Sequence, residues 1–293
     1  MDNFIVLYNP LAGNGTAQDK MRELESLMQG DRLYFSNMLD IRDYGAFFND
    51  MPDGASIIIC GGDGTLNRFL NDTEDIRPDC DIYYYPSGSG NDFARDIDAE
   101  RGASPVLINR YIERLPKICA NGKEHRFING IGYGIDGYCC EKGDELRGKG
   151  NGEVNYTAIA IKGLLFHYKP TGATITVDGV EHRFEKVWLA PTMIGRYYGG
   201  GMMPMPEQDR LNGDGAVSVT VYYGSGKLKS LAVFPSIFKG EHIKHSEMVA
   251  VLSGRNITVC FDEPRPLQID GETVPGVREY SVTACEEKVL QPA

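Results

Sequence analysis

The chain has 293 residues, of which 42% are hydrophobic and 24% charged, a composition typical of a globular protein long enough for two domains. Its formal net charge of −11 argues against a general nucleic-acid-binding protein and against strong electrostatic attachment to anionic lipid. A polyanionic substrate would therefore have to be held by backbone amides, a few local cations and a metal ion.

Neither the apolar segments nor the cysteines indicate an exported or membrane-spanning protein. No apolar run approaches the roughly 20 residues that cross a bilayer, and the amino terminus is typical of a strand rather than of a signal peptide. The seven cysteines are scattered and form no Cys-x-x-Cys pair, which argues against a disulfide framework and a structural zinc site. We expect a cytoplasmic protein with reduced thiols.

The first 115 residues alternate strands with helices. We predict strands at 4–9, 33–35, 55–60 and 82–85, and helices from Thr16 to Gly30, at 41–49 and at 65–71. This alternation indicates βαβ units and a parallel sheet, which bind ligands at the carboxyl ends of their strands.

Two glycine-rich loops follow strands in this half: Gly61–Thr65 after the third strand, and Pro86–Asp92 after the fourth. Glycines let the backbone approach a ligand closely and adopt positive φ, and the amides at a helix start attract an anion. The first loop therefore predicts a phosphate site, with an ordinary strand-to-helix turn as the alternative. Because Asp63 has the wrong charge to touch phosphate, we expect it to meet magnesium, water or a hydroxyl.

After about residue 115 the pattern becomes mostly antiparallel β. Asn121-Gly122 and Asp178-Gly179 are hairpin signals, and helices are predicted only at about 153–168 and 227–238. Further strands are predicted at 186–190, 216–223, 248–252, 256–261 and 278–284. We divide the chain into an α/β nucleotide-binding domain of residues 1–122 and a β-rich substrate domain of residues 123–285. The tail at about 286–293 could return to the first domain.

Several motifs occur in a diagnostic order: Asn9-Pro10-x-Ala12-Gly13-x-Gly15, Gly61–Thr65, Ser87–Asp92, Tyr198–Met202, Asp214-Gly215 and Asp270-Gly271-Glu272. Their order resembles the diacylglycerol kinase catalytic family, which also includes sphingosine and ceramide kinases, over nearly the whole chain. The resemblance is closest to the soluble bacterial lipid kinases. It implies a Rossmann-like α/β N-terminal domain, like those of NAD kinase and diacylglycerol kinase, and a mostly antiparallel β-sandwich C-terminal domain.

The same resemblance implies an ATP site in the first domain. The residues that would line it are Asn9, Gly13, Gly61, Gly62, Asp63, Gly64, Thr65, Asn67 and Ser89. Ser89 stands where the family usually has threonine, so the hydroxyl is kept and a methyl group is lost. Asn91 and Asp92 would brace the loop or the nucleotide.

For catalysis, the resemblance implies that Glu272 is the general base that accepts the proton of a lipid hydroxyl. Asp270 and Asp63 would belong to the surrounding hydrogen-bond and magnesium network. From the residues alone, 270–272 would be interpreted as a turn, since Asp-Gly is a common turn signal.

A second acidic segment could hold a structural Mg²⁺. The resemblance implies the Leu211 carbonyl, the Asp214 carboxylate and the Ala216 carbonyl as ligands, with waters completing six oxygens. The alternative is a hairpin turn without an ion.

Together these features predict an ATP- and Mg²⁺-dependent kinase of a lipid hydroxyl, with diacylglycerol converted to phosphatidic acid and the active site in the interdomain cleft. The alternatives are an NAD kinase-like enzyme and a non-catalytic nucleotide- or lipid-binding regulator. The predicted partners are ATP and a lipid alcohol at the membrane surface, without nucleic acid. The segment 227–245, which contains several Lys and Phe residues, could rest on that surface transiently, or it could be an ordinary surface helix. A homodimer could form through an exposed sheet edge.

Overall fold

The computed structural model describes residues 2–10, 17–88, 90–148 and 156–285. The chain divides into two compact units, Met1–Glu113 and Arg114–Ala293. Each unit has its own sheet and its own hydrophobic core.

The first unit is an α/β domain, as predicted. Its strands are β1 (Asn3–Tyr8), β2 (Arg32–Asn37), β3 (Ser56–Gly61), β4 (Ile82–Pro86) and β5 (Val106–Leu107). Its helices are α1 (Ala17–Leu27), α2 (Tyr44–Asn49), α3 (Asp63–Asp72), α4 (Asp92–Asp96) and α5 (Asn109–Ile112). Among the described residues the sheet order is β2-β1-β3-β4-β5, in which the first four strands are parallel and the short β5 is antiparallel to β4.

Burial explains why the sequence folds this way. Ile57, Ile58 and Ile59 of β3 are completely buried, as expected of a parallel strand covered on both faces. Helix α1 contributes Leu24 to the core, whereas its Leu27 is 42% exposed. Helix α1 therefore buries only part of its apolar residues.

The second unit is built on one continuous antiparallel sheet. Its strands are β6 (Lys117–Ala120), β7 (Lys123–Arg126), β8 (Gly130–Tyr133), β9 (Thr171–Val177), β10 (Val180–Val187), β11 (Thr192–Met193), β12 (Val217–Tyr222), β13 (Val249–Gly254), β14 (Asn256–Ile269) and β15 (Glu272–Thr283). Its helices are α6 (Ile135–Gly148), α7 (Tyr156–Lys162) with a π-helical turn at Gly163–His167, and α8 (Lys227–Val233) with 3₁₀ turns at Phe234–Lys239 and Glu241–Lys244.

Strand β14 organises this sheet because it pairs with β15, β9 and β8 along different parts of its length. The largest core cluster on this sheet among the described residues includes Ile118 of β6, Ile175 of β9 and Val219 of β12. Both predicted hairpins are confirmed. Asn121 and Gly122, with φ values of 51° and 74°, adopt the left-handed conformation of a two-residue turn.

Two features of the second unit differ from the prediction. Hairpin β6–β7 lies in this unit because β6 pairs with β15, so the division falls at residues 113–114 rather than after residue 122. Helix α6, the longest described, was not predicted. It contains Gly137, where a Cβ atom would lie 1.8 Å from the Pro266 carbonyl oxygen. Close packing against β14 therefore requires a glycine that lowers helix propensity.

Candidate active site

Two glycine-rich loops of the first unit lie side by side at one edge of the parallel sheet. Strands β3 and β4 are neighbours in register, with Gly61 opposite Pro86, and the Ser87 amide donates to the Gly61 carbonyl at 2.9 Å. Since β1 is the other neighbour of β3 and ends at Tyr8, Asn9 follows at the same edge. This is the edge at which α/β sheets bind ligands.

Gly61, Gly62 and Gly88 of these loops are required for close packing rather than for positive φ. Gly62 has φ of −96°, and Gly61, Gly62, Gly64 and Gly88 are absent from the described glycines with positive φ. A Cβ atom on Gly88 would lie 2.4 Å from the Gly62 Cα, and one on Gly61 would lie 2.4 Å from the Thr65 Cβ. The predicted positive φ is therefore wrong for these glycines, while the predicted close approach is realised by the two loops themselves.

Asp63 fastens the first loop to the end of the second, and Asn91 braces the second loop internally. The Asp63 carboxylate accepts hydrogen bonds from the amides of Asp92 (2.8 Å) and Phe93 (2.9 Å), so a residue of α3 caps α4. The Asn91 side chain accepts from the Gly88 amide at 3.0 Å and donates to the Gly88 carbonyl at 2.8 Å. Asn91 thus braces the loop, and each Asp63 oxygen keeps one further lone pair for water or a cation.

The start of α3 provides backbone donors. Among the described residues no side chain caps this helix, whose N-cap is Gly62, and the helix dipole directs positive potential out of this end. Thr65 is buried, and the Asn67 side-chain oxygen accepts from Asn71 at 3.1 Å. Gly13 and Ser89 lie outside the described residues. The nucleotide roles of this set stay predictions.

Replacement of Gly88 by Ala should destabilise the first unit by about 1–3 kcal/mol, because the new methyl group overlaps the Gly62 backbone. Denaturant unfolding would measure the loss. Gly64→Ala is the matched control, since a Cβ atom there meets nothing within 4 Å. Equal stability of Gly88→Ala and wild type would mean that the loops separate without cost.

In the second unit, Asp270-Gly271 is a two-residue turn that joins β14 to β15, with φ values of 46° and 96°. The turn interpretation is therefore right about the backbone. The Asp270 carboxylate also accepts hydrogen bonds from the amides of Ile128 (2.6 Å), Asn129 (2.9 Å) and Gly130 (3.0 Å). Asp270 thus fixes the entry to β8 against the turn that carries Glu272.

Glu272 is the first residue of β15 and is exposed. Within the part of the chain that the structure describes, its carboxylate has no hydrogen-bond or ion-pair partner, whereas the neighbouring Thr273 hydroxyl donates to Asp144 of α6 at 2.7 Å. A solvent-facing carboxylate on a turn held by Asp270 is available to accept a proton from a bound alcohol.

A buried acidic residue that the sequence did not reveal lies in α6. Asp136 is 7% exposed and accepts a hydrogen bond from the buried Tyr198 hydroxyl. Burial raises the pKa of Asp136 from 3.8 to about 6, and the bond from Tyr198 opposes this increase. In the sequence, the signal for a buried Asp136 was the glycine-rich segment Gly132–Gly137. A Cβ atom on Gly132 would lie 2.7 Å from the Asp136 Cβ.

Because of the raised pKa of Asp136, the free energy of unfolding should decrease as the pH rises from about 4 to 6. The folded chain keeps the Asp136 proton up to a pKa of about 6, whereas the unfolded chain loses it near 3.8, so the contribution present below pH 4 is lost above pH 6. This difference corresponds to about 3 kcal/mol. Asp136→Asn should remove this component of the pH dependence, as measured by urea unfolding of both proteins between pH 4 and 7.5. Parallel curves for the two proteins would contradict it.

The proposed structural-metal segment fits a cation in part. The Asp214 carboxylate accepts from the Ala216 amide at 3.1 Å through one oxygen. The Ala216 carbonyl already accepts from the side chains of Gln208 (2.9 Å) and Asn212 (2.8 Å), so cation binding there would compete with both bonds. The Asn212 Oδ1 atom is buried without a hydrogen-bond partner among the described residues. The roles of Leu211, Asp214 and Ala216 stay predictions, and the described residues contain no cluster of three His, Cys, Asp or Glu side chains suited to a metal.

Two family models match consecutive parts of the chain. The diacylglycerol kinase catalytic domain matches residues 3–117, and the YegS C-terminal NAD kinase beta sandwich-like domain matches residues 129–286. The second match alone spans more than half of the chain, and the two follow each other in the predicted order. The chain belongs to the diacylglycerol kinase catalytic family. It is accordingly a lipid kinase, an enzyme that phosphorylates an alcohol.

The curated relatives to which this lipid kinase is similar are named as members of the same family. It is 28% identical over 246 residues to a diacylglycerol kinase of Mycobacterium tuberculosis, with 81% of this chain and 77% of the relative covered. It is 27% identical to a diacylglycerol kinase of Bacillus subtilis, over 74% of this chain and 70% of that one.

The fold is also similar to the crystal structure of a diacylglycerol kinase from Bacillus anthracis (strain Sterne). The two structures align with a TM-score of 0.61 and 19% identity, over 97% of this chain and 94% of the other. This similarity supports the fold alone. Among the described residues of the lipid kinase, no helix is both long and apolar enough to cross a bilayer.

Proposed function

We propose that the protein is an ATP- and Mg²⁺-dependent diacylglycerol kinase that produces phosphatidic acid. The observation that carries this proposal is the pair of glycine loops packed together at the carboxyl edge of β3 and β4, beside the start of α3. Such an edge offers fixed backbone donors to a triphosphate, in a chain whose net charge of −11 does not itself attract a polyanion.

In the proposed reaction the first unit binds the nucleotide and Glu272 of the second unit acts as base. The lipid hydroxyl oxygen forms a bond to the γ-phosphorus while the bond from that phosphorus to the β–γ bridging oxygen breaks. ADP leaves, and the hydroxyl proton passes to the Glu272 carboxylate. The acceleration comes mainly from positioning the two substrates and from stabilising the charge on the transferred group.

Magnesium bound with the nucleotide supplies charge neutralisation of the phosphate oxygens. Asp63 and Asp270, whose carboxylates also hold backbone amides, are the proposed carboxylates of that network. For a structural ion we propose the Leu211 carbonyl and the Asp214 carboxylate, and the Ala216 carbonyl after exchange of its present donors.

A substrate panel tests the proposal. The purified protein, ATP and Mg²⁺ would be incubated with diacylglycerol, monoacylglycerol, undecaprenol, phosphatidylglycerol, a sphingoid base or NAD, and the products identified by mass spectrometry. We expect phosphatidic acid from diacylglycerol and no product after chelation of Mg²⁺. Phosphorylation of another lipid instead would reject diacylglycerol but keep the lipid kinase. Phosphorylation of NAD would support the alternative enzyme, which the lipid-kinase names of the relatives disfavour.

A further inference from the structure

Gln268 is a polar side chain at a strand position where an apolar residue is expected. It is 4% exposed and lies in β14 between Leu267 and Ile269, which both belong to the hydrophobic core on this sheet. Because side chains alternate between the two faces of a strand, Gln268 lies on the other face, against which helix α6 packs. Burial of a side-chain amide costs free energy unless its polar atoms are hydrogen-bonded. The partner of the Gln268 amide therefore indicates what this side chain does.

That partner is the turn that carries Glu272. The Gln268 Oε1 atom accepts a hydrogen bond from the Gly271 amide at 2.6 Å. A two-residue hairpin turn bonds its outer residues, here Ile269 and Glu272, to each other and leaves the second central amide without a backbone acceptor. Gln268 supplies the missing acceptor from its own strand.

The neighbouring strand leaves room for the Gln268 side chain. Gly132 of β8 is paired with Gln268, and a Cβ atom on Gly132 would lie 2.6 Å from the Gln268 Nε2 and 2.9 Å from its Cγ. The same Cβ atom would meet the Cβ of Asp136, so the space above Gly132 is shared by Gln268 and α6. Glycine weakens a strand interior, and here it permits the Gln268 side chain to lie across the sheet.

We propose that Gln268 is a positioning residue of the phosphoryl transfer, which holds the peptide between Asp270 and Gly271 and thereby the place of Glu272. The φ values of 46° and 96° at these two turn residues are those of a type I′ turn. Types I′ and II′ differ mainly in the orientation of this central peptide, and the bond from the Gly271 amide to Gln268 selects one orientation. The inference rests on the proposed function, in which Glu272 is the base, and a small displacement of a catalytic group lowers the rate strongly.

Gln268→Met tests this role, because it keeps the length of the side chain and removes the acceptor. We expect kcat to fall by about tenfold, while the KM values for ATP and diacylglycerol stay within about twofold of wild type. The Gly271 amide hydrogen should exchange with solvent faster than in wild type, by up to about tenfold, as measured by NMR. Thermal unfolding would compare the stability of the two proteins.

Tyr280→Phe is the matched control for loss of a buried hydrogen bond in the same hairpin. The Tyr280 hydroxyl is buried, lies 2.7 Å from the Thr192 Oγ1 and donates to the Ala190 carbonyl at 3.3 Å. Tyr280 is in β15, well beyond the turn along the strand. This variant should lower the thermal midpoint at least as much as Gln268→Met and keep wild-type kcat. An equal loss of kcat in both variants would mean that destabilisation alone explains the effect, and would overturn the positioning role.

A double variant shows whether Gln268 acts through Glu272. In the Glu272→Gln background, Gln268→Met should cause no further loss of kcat, because the group that it positions no longer accepts a proton. A further loss in that background, wild-type kcat in Gln268→Met alone, or unchanged exchange of the Gly271 amide would each overturn the inference. If wild type phosphorylates no lipid, the proposed function fails and the positioning role fails with it, while the exchange measurement still reports the hydrogen bond that holds the turn.

Discussion

Replacement of Glu272 by Gln should lower kcat by about 10²–10⁴-fold and leave nucleotide affinity within about twofold of wild type. Gln keeps the size of the side chain and its place on the turn, but it cannot accept the proton of the lipid hydroxyl. The fold should be unaffected, because Glu272 is exposed and its carboxylate has no partner among the described residues. Steady-state kinetics, equilibrium binding of ATP and thermal unfolding would measure the three quantities.

Glu279→Gln is the matched control for this change. Glu279 is exposed on the same strand, seven residues after Glu272, and should retain wild-type kcat. If Glu272→Gln turns over at the wild-type rate, Glu272 is not the base. If nucleotide affinity falls in parallel with kcat, Glu272 acts in nucleotide binding instead.

Much of the fold was predictable because its strands have local signals. The apolar run 55–60 and the turn Asn121-Gly122 both correspond to elements at nearly the predicted positions. Helix α6 was missed because its Gly137 is required by close contact with Pro266 of β14, about 130 residues away in the sequence. Where packing against a distant strand determines the residues of a helix, the sequence lacks the hydrophobic periodicity from which a helix is predicted.

The candidate site was predictable as a set of residues but not as a set of contacts. The motif order identified Asp63 and Asp270, yet their carboxylates hold the amides of Asp92 and Ile128, which no spacing in the sequence indicates. Likewise the glycines of the two loops were expected to serve a ligand, and two of them, Gly62 and Gly88, meet each other. Contacts between segments far apart in the chain arise only from the tertiary structure.

Replacement of Asp270 by Ala should destabilise the second unit by about 3–5 kcal/mol, a second large effect of a different kind. The change removes the acceptor of three part-buried backbone amides, those of Ile128, Asn129 and Gly130, and each loses a hydrogen bond to a charged group. It also puts Ala at φ of 46°, which Asp tolerates better. Urea unfolding would measure the loss.

A matched control exists in the other Asp-Gly hairpin. Asp178 has φ of 47° and its carboxylate accepts from the amides of Arg255 (3.1 Å) and Asn256 (2.8 Å), but it is exposed to solvent. Water can replace its carboxylate, so Asp178→Ala should cost only about 1–2 kcal/mol. Asp270→Asn, which keeps one carbonyl acceptor, should lie between Asp270→Ala and wild type and allow kcat to be measured on a folded protein. If Asp270→Ala and Asp178→Ala unfold with equal losses, burial of the three amides does not set the cost, and Asp270 is not the anchor of the turn.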